Sequence, residues 1–292
     1  MRIVSFNVNG IRARLHQLQA VIENHAPEII GLQETKVTDE EFPVEAIREL
    51  GYHVEYHGQK SHYGIALLSR QTPLQVVKGL PGDGEDAQRR LIGAAFETVD
   101  GGLLWVVDAY FPQGESRQHA VKFLAKERFY QDIGAFLKNG FNVGDGLIVM
   151  GDANVALRDE DIGIGEENAR RWLRAGKCCF LPEERDWLQS LLDVGLVDTF
   201  RHCHADATDL FSWFDYRSRG FEREPRRGLR IDLILANQVL SARCTQAGID
   251  YAVRSMDKSS DHCPVWTELD VCLLNNVLKR IKAGQLSGLL TC

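Results

Sequence analysis

Long apolar runs are missing from this 292-residue chain, and none approaches the roughly 20 residues that a bilayer span requires. No membrane association is therefore expected. The opening residues, Met1 to Asn7, lack the apolar core of a secretory signal and read as a first strand. No C-x-x-C pair occurs among the seven cysteines, at 178, 179, 203, 244, 263, 272 and 292, and the neighbours Cys178 and Cys179 are poorly placed to bridge one another. Reduced thiols in a cytoplasmic protein are the simplest expectation. His202-Cys203-His204 carries metal-binding side chains, but consecutive residues rarely converge on one ion and no second ligand pair follows, which argues against zinc. Low-complexity stretches, Gly/Ser/Pro linkers and solenoid repeats are absent too. One domain over residues 1–270 is expected, with 271–292 as a C-terminal extension.

The net charge of −7 disfavours a nucleic-acid partner by its sum, but its distribution matters more. Residues 168–177 hold Arg170, Arg171, Arg174 and Lys177 with no acid, a local +4. Residues 217–230 hold Arg217, Arg219, Arg223, Arg226, Arg227 and Arg230 against Glu222 and Glu224, again +4, so the rest of the chain carries −15. Two basic segments on an acidic body suit a localised phosphate-binding face.

Short apolar runs alternate with helical patterns, the mark of a mixed α/β or α+β domain. The runs predict strands over 2–8, 28–33, 64–69, 91–97, 103–110, 146–151, 229–236 and 264–269. Helices are predicted over 13–24, 43–50, 119–138 and 183–194, the last opened by Pro182 followed by two glutamates that suit an N-terminal dipole. Several strands end in a polar residue that a packed core would not choose: Asn7, Gln33-Glu34, Asp108 before Tyr110, and Asp152, with Asp232 inside another apolar run. Gathered at one edge, these ends would build an acidic, amide-bearing pocket on rigid supports.

The acids suit a hard cation. Magnesium prefers a few carboxylate oxygens and retained waters. Glu34, Asp152 and Asp261 can supply that shell, with amide oxygens from Asn7 and Asn154. A buried Asp232 would cost several kcal/mol without a partner, and His262 is the partner expected, since a carboxylate orients imidazole and favours its charged form. Gly151-Asp152-Ala153-Asn154 aims two polar side chains to one side of an extended segment, and Gly151 permits close backbone approach. Asp152 is the candidate to orient or deprotonate an attacking water, and Asn154 to donate a hydrogen bond to the charged transition state.

Phe6-Asn7-Val8-Asn9-Gly10, Leu32-Gln33-Glu34-Thr35-Lys36, Tyr110-Phe111-Pro112-Gln113-Gly114, Gly151-Asp152-Ala153-Asn154, Leu229-Arg230-Ile231-Asp232 and Ser260-Asp261-His262 resemble, in order, the motifs of the exonuclease III family. That family lies within the endonuclease–exonuclease–phosphatase superfamily. Gly163-Ile164-Gly165-Glu166-Glu167-Asn168 and Phe211-Ser212-Trp213-Phe214-Asp215-Tyr216 resemble it as well, so the likeness spans roughly residues 1–270. It implies a four-layer α/β sandwich, two packed sheets flanked by helices. It implies Asn7, Glu34, Asp152, Asn154, Asp261 and His262 around a magnesium ion, with manganese as a substitute. Tyr110, Asp152, Asn154, Asp232 and His262 become the catalytic set, and Lys36, Arg90, Asn154, Trp213, Leu229, Ile231 and His262 the substrate contacts. Trp213, Leu229 and Ile231 match positions lining a pocket for a flipped-out baseless sugar, although ordinary core packing accounts equally well for Ile231. The arginines of both basic segments, with Gln88, Arg89 and Arg90, are expected to grip flanking strands.

The implied activity is magnesium-dependent phosphodiester hydrolysis on double-stranded DNA, at abasic sites and at 3′ ends, by a monomer. Asp152 is the candidate general base, with water, Tyr110 and His262 as the alternatives. Two rival functions share parts of this pattern, a phosphatase acting on inositol phosphates or phospholipids and a catalytically dead DNA-binding module. The basic segments and Trp213 favour DNA, and the filled catalytic positions favour an enzyme. Beyond residue 270 the resemblance is silent. There Leu273, Leu274, Val277, Leu278 and Ile281 predict an apolar helical stripe beside Lys279, Arg280 and Lys282, expected to dock on the body of the chain or to fray, with a partner-binding or membrane-touching helix as the minority alternative.

Overall fold

Apolar residues that follow one another without helical spacing become strands, and the computed structural model, which describes residues 1–142 and 144–274, builds twelve of them. In chain order they are β1 (Arg2–Asn7), β2 (Ile29–Gln33), β3 (His53–His57), β4 (Ile65–Ser69), β5 (Gln75–Lys78), β6 (Leu91–Glu97), β7 (Leu103–Tyr110), β8 (Gly146–Asp152), β9 (Leu196–Asp198), β10 (Asp232–Asn237), β11 (Cys244–Ile249) and β12 (Val265–Leu269). The α-helices are α1 (Ile11–His25), α2 (Val44–Glu49), α3 (Lys122–Gly140), α4 (Glu166–Arg174), α5 (Pro182–Leu192), α6 (Thr199–Cys203), α7 (Gln238–Ser241) and α8 (Tyr251–Arg254).

The strands form two mixed sheets of six, ordered β11-β12-β1-β2-β4-β3 and β5-β6-β7-β8-β10-β9. Each contains one parallel pair, β1 with β2 and β7 with β8. Helices α1 and α3 lie in the two connections, because parallel neighbours need a long crossover.

The two-residue strand period decides what each face meets. Val4, Phe6, Ile30 and Leu32 face outward and pack with Leu18 and Val21 of α1 and Val253 of α8. Val107, Val149 and Leu233 pack under Tyr130 and Ile133 of α3 and Leu188 and Leu191 of α5. The layers are therefore helix, sheet, sheet, helix, as the resemblance implied. Full burial of each large apolar side chain contributes about 1.5–3 kcal/mol.

The layer between the sheets changes character along its length. Ile3, Ile29, Val106, Ile148, Met150 and Ile234 fill its dry part. Further along the same inward faces stand Ser5, Gln33 and Asp108, where Gln33 Nε2 donates to Ser5 Oγ at 3.0 Å and to Asp108 Oδ1 at 2.6 Å. Burial pushes the Asp108 carboxyl well above the usual carboxylate range. One residue pair beyond lie Asn7, Tyr110, Asp152 and Asp232. The register places Tyr110 opposite Asp152 and Asp152 opposite Asp232, so the polar ends share one edge.

Several expectations need correction. The strand foreseen from 229 begins only at Asp232, because Leu229 makes isolated bridges to Ile162 and Trp213 instead. The helix foreseen from 119 starts at Lys122. Strands β3, β5, β9 and β11 and helices α4, α6, α7 and α8 were not foreseen. Cys178, Cys179, Cys203, Cys244 and Cys263 are free thiols, but Cys272 is disulfide-bonded, against the reading of the whole set as reduced. Leu273 bridges Thr98 and Leu274 N donates to Glu97 O at 2.8 Å, so this stretch runs extended along the end of β6 and does not open a helix. The remainder of the foreseen apolar stripe, including Val277, Leu278 and Ile281, lies outside the described residues. Among the described residues no helix is long and apolar enough to cross a membrane.

Candidate active site

Three backbone segments turn sharply at the polar edge. Gly151 adopts φ +138°, and a Cβ there would stand 1.9 Å from the Ala109 carbonyl oxygen, so only glycine lets β8 bend and deliver Asp152 inward. Glu34, just past β2, and Asn154, two residues beyond Asp152, take the left-handed conformation at φ +53° and +54°. Such a backbone costs of order 1–3 kcal/mol at a non-glycine residue and persists only where its surroundings hold it. Thr35 N and Lys36 N, donating to Gly64 O at 3.1 Å and Tyr63 O at 2.8 Å, hold the first turn.

Asn7, at the end of β1, bridges two acids from the two sheets. Its Nδ2 donates to Glu34 Oε1 at 2.9 Å and to Asp152 Oδ2 at 3.0 Å, while its Oδ1 accepts from Asn9 N at 3.1 Å. The other oxygen of Asp152 accepts from Asn154 N at 2.9 Å. Behind them, His262 turns Nδ1 to Asp232, 2.9 Å from Oδ2 and 3.0 Å from Oδ1, and leaves Nε2 3.7 Å from Asp152 Oδ2. Ser212 locks that carboxylate. Its Oγ donates to Asp232 Oδ2 at 2.6 Å and accepts from Ile231 N and Asp232 N, each at 3.0 Å.

Burial opposes charge on both sides of this pair, and the pairing decides the outcome. Burial pushes Asp152 up to about 7, reinforced by Asp232 and Glu34 and opposed by His262 and Asn7. For His262 burial works against the proton, yet Asp232 and Asp152 overcome it and raise the imidazole to about 10. Tyr110 lies well above the usual phenol range through burial and the nearby Glu34 and Asp152 charges. Its hydroxyl therefore stays protonated.

Glu34, Asp152 and His262 each offer one ligand atom, all within 4.8 Å of one another. Two carboxylates and an imidazole of this spacing, with a third acid at Asp232, suit a divalent cation. Burial first, and repulsion from Asp232 and Glu34 second, disfavour the Asp152 carboxylate, and a cation beside it offsets both. The ammonium of Lys36, 2.8 Å from Glu34 Oε2, already supplies one positive charge at the rim.

Residues 4–262 match the endonuclease/exonuclease/phosphatase family. The chain belongs to that family. It is 55% identical to exodeoxyribonuclease III of Haemophilus influenzae over 268 residues, covering 92% of this chain and 99% of the relative. It is 30% identical to an exodeoxyribonuclease of Bacillus subtilis over 269 residues, 91% of this chain and 98% of that one. Among solved structures, a 3′ phosphatase from Neisseria bound to a product DNA hairpin superposes with TM-score 0.84 at 34% identity, covering 92% of this chain and 99% of that chain. An AP endonuclease from Archaeoglobus fulgidus gives TM-score 0.83 at 31% identity, covering 93% and 100%.

In this family member not every candidate residue reaches the cation-sized gap. Asp261 stands outside the group of three: its Oδ1 accepts from Asn9 Nδ2 at 2.8 Å and its Oδ2 from Trp213 Nε1 at 3.0 Å. Asn154 donates from Nδ2 to Phe111 O at 3.0 Å, and its Oδ1 lies 3.9 Å from Cys179 Sγ. Arg90 is 8% exposed, its guanidinium held between the rings of Tyr63 and Tyr110 at 4.5 and 4.7 Å while Nη1 donates to Tyr110 O at 3.0 Å. It braces Tyr110 from behind and has little surface left for substrate. Leu229 and Ile231 are buried among Phe180, Leu181 and Cys178, with half-buried Trp213 packed against them.

Of the basic residues, Arg170, Arg171, Arg174, Lys177, Arg217, Arg219, Arg223, Arg226 and Arg227 are exposed. A groove beside Trp213 is lined by Arg171, Trp172, Lys177, Arg223 and Arg227, with the Lys177 ammonium 3.6 Å over the Trp172 ring. Arg230 is the exception. It is 2% exposed and pairs with Asp161 at 2.7 Å and Asp198 at 2.7 Å, and Arg201 also joins Asp161. Counting it toward a phosphate face was wrong, because its charge is spent inside the protein. A larger cavity between α5 and β9 contains none of the clustered acids. Sequence reading passed over Ser212 and Asn9 as active parts. Asn9 carried a usable signal, since it stands two residues from Asn7 and so shares its side of an extended chain.

Proposed function

We propose that this chain is a magnesium-dependent DNA-repair phosphodiesterase, an exodeoxyribonuclease III that trims 3′ ends of duplex DNA, cuts at abasic sites and removes 3′-blocking groups. The observation that carries the reading is the meeting of Glu34, Asp152 and His262, from both sheets, within 4.8 Å. The names of its relatives agree with it: exodeoxyribonuclease III, a 3′ phosphatase bound to a DNA hairpin and an AP endonuclease. In this reading the enzyme acts as a cytoplasmic monomer. Its catalytic unit is residues 1–270, with 271–292 as an extension whose first residues, Val271 and Leu273, share the inter-sheet core.

Glu34 and Asp152 would hold the divalent cation, magnesium or manganese in its place, with Asn7 between the two acids and the charged imidazole of His262 beside them. When bound, it neutralises charge that builds on the phosphoryl and leaving oxygens. Asp152 orients the attacking water and takes its proton, a role that suits a carboxyl near neutrality. His262, charged and aimed by Asp232, donates from Nε2 to a phosphoryl oxygen. Tyr110 donates from its protonated hydroxyl to the same group. Lys36 and the exposed arginines beside Trp213 bind flanking phosphates, and Trp213 meets the baseless sugar.

A duplex bearing one abasic site tests this. Nicking that requires magnesium and stops with chelator is the expected result. Intact DNA alongside rapid hydrolysis of an inositol phosphate would instead assign a phosphatase.

A further inference from the structure

Helix α3 lies on the outer face of the second sheet, yet two of its buried side chains reach through to the loop that carries Asp152 and Asn154. Lys126 and Tyr130 are four residues apart and so share one face of the helix. Tyr130 Oη donates to Ala153 O at 2.7 Å. That carbonyl belongs to the same peptide group as Asn154 N, which donates to Asp152 Oδ1 at 2.9 Å. One peptide thus links the phenol to the carboxylate in a single chain of hydrogen bonds. Lys126, 0% exposed, donates to the next carbonyl, Asn154 O, at 2.9 Å, to Gln113 O at 3.3 Å and to Glu184 Oε1 at 2.5 Å. All three of its protons are used. Glu184 is itself fully buried and accepts from Leu181 N at 2.8 Å.

We propose that Tyr130 and Lys126 are positioning residues for the reaction, holding the left-handed turn at Asn154 so that its N–H pins Oδ1 of Asp152 and turns Oδ2, which also accepts from Asn7, toward the chemistry. The inference rests on the proposed role of Asp152. Hydrogen bonds in series polarise one another, so the phenol makes the Asn154 N–H a stronger donor than an isolated amide. Lys126 keeps the following peptide from rotating, which fixes a left-handed conformation that asparagine tolerates but does not hold by itself. Neither side chain touches substrate. Both act through the backbone of residues 153 and 154.

The decisive experiment compares wild type, Tyr130→Phe, and the pair Lys126→Met with Glu184→Gln, the last chosen so that no lone charge remains buried. Cleavage of an abasic duplex is followed in magnesium, and the Asn154 amide is followed by NMR in metal-free protein. In both variants kcat should fall about 10-fold, the effect of losing one well-made hydrogen bond in the transition state, while KM for DNA holds. The Asn154 amide proton should lie far downfield in wild type and move upfield in Tyr130→Phe. A purely structural role would lower the melting temperature and leave kcat per folded molecule and the amide position unchanged, and that result overturns the proposal. An ordinary Asn154 amide shift in wild type overturns it whether or not the variants fold. Failure of wild type to cut the duplex, with the amide downfield, would strike the functional reading and spare the hydrogen-bond chain.

Discussion

Replacing Asp232 by asparagine removes one charge and almost no volume, so it isolates what the Asp232–His262 pair contributes. The carboxylate lies 2.9 Å from Nδ1 of a histidine that is 4% exposed. At an effective dielectric of about 20, unit charges at that distance attract by about 6 kcal/mol. The rise of His262 to about 10 corresponds to about 5 kcal/mol in favour of the charged ring, net of burial and shared between Asp232 and Asp152. Asp232, the nearer of the two acids, is the principal partner. In Asp232→Asn the burial penalty remains while only Asp152, 3.7 Å from Nε2, still favours the proton. The imidazole pKa should then fall by at least about two pH units, as read from side-chain NMR of metal-free protein. A raised histidine pKa stabilises the fold fully below its unfolded value of 6.5 and loses that contribution as pH rises toward about 10. The stability gap between wild type and variant should therefore shrink across that window in urea titrations. Activity at pH 7.5 should drop by about 10²-fold or more, the usual effect of a mispositioned acid–base group. A variant that cuts abasic duplex within twofold of wild type, or whose His262 still titrates near 10, would refute this account.

Other perturbations separate the remaining parts. Ser212→Ala frees one oxygen of Asp232 and leaves two backbone N–H groups without their acceptor. A stability loss of about 1–3 kcal/mol is expected in urea unfolding, with a smaller rate defect than Asp232→Asn. Arg230→Met leaves Asp198 without its cation and Asp161 with Arg201 alone, and should destabilise by about 3–5 kcal/mol. The salt dependence of its DNA binding should match wild type. Lys177→Ala or Arg171→Ala should instead leave stability within about 0.5 kcal/mol and reduce the slope of log affinity against log salt by about 0.9 each. Magnesium binding to Glu34→Gln should weaken sharply in calorimetry. In wild type the affinity should rise with pH to about 7 and then level, because the ion must displace a proton from Asp152 below that value.

How much was legible in the sequence depended on position within each sheet. All eight strands foreseen exist, and all are internal, whereas the four missed, β3, β5, β9 and β11, are the two edges of each sheet. Internal strands such as β4 and β8 are buried at every position and read as unbroken apolar runs. An edge strand such as β11 exposes part of its length, and its mixed composition resembles a loop. Helix α4 was missed for a related reason: it buries none of its residues, so no apolar stripe marked it.

The chain itself specified which side chains could do chemistry. Polar residues stand at the ends of apolar runs, and because burying them unpaired is costly, their presence announces a site before any coordinates are known. It also specified the Asp232–His262 pairing, through the cost of an unpartnered acid inside an apolar run. Only the tertiary structure decided which candidates converge. Asp261 and Asp152 look equivalent as letters, yet the first is taken up by Asn9 and Trp213 while the second faces the gap. Arg230 and Arg227 belong to one basic segment, but one is buried against two aspartates and the other lines a groove. Charge along a sequence has no direction, and the fold supplies it by choosing which side of the backbone is inside.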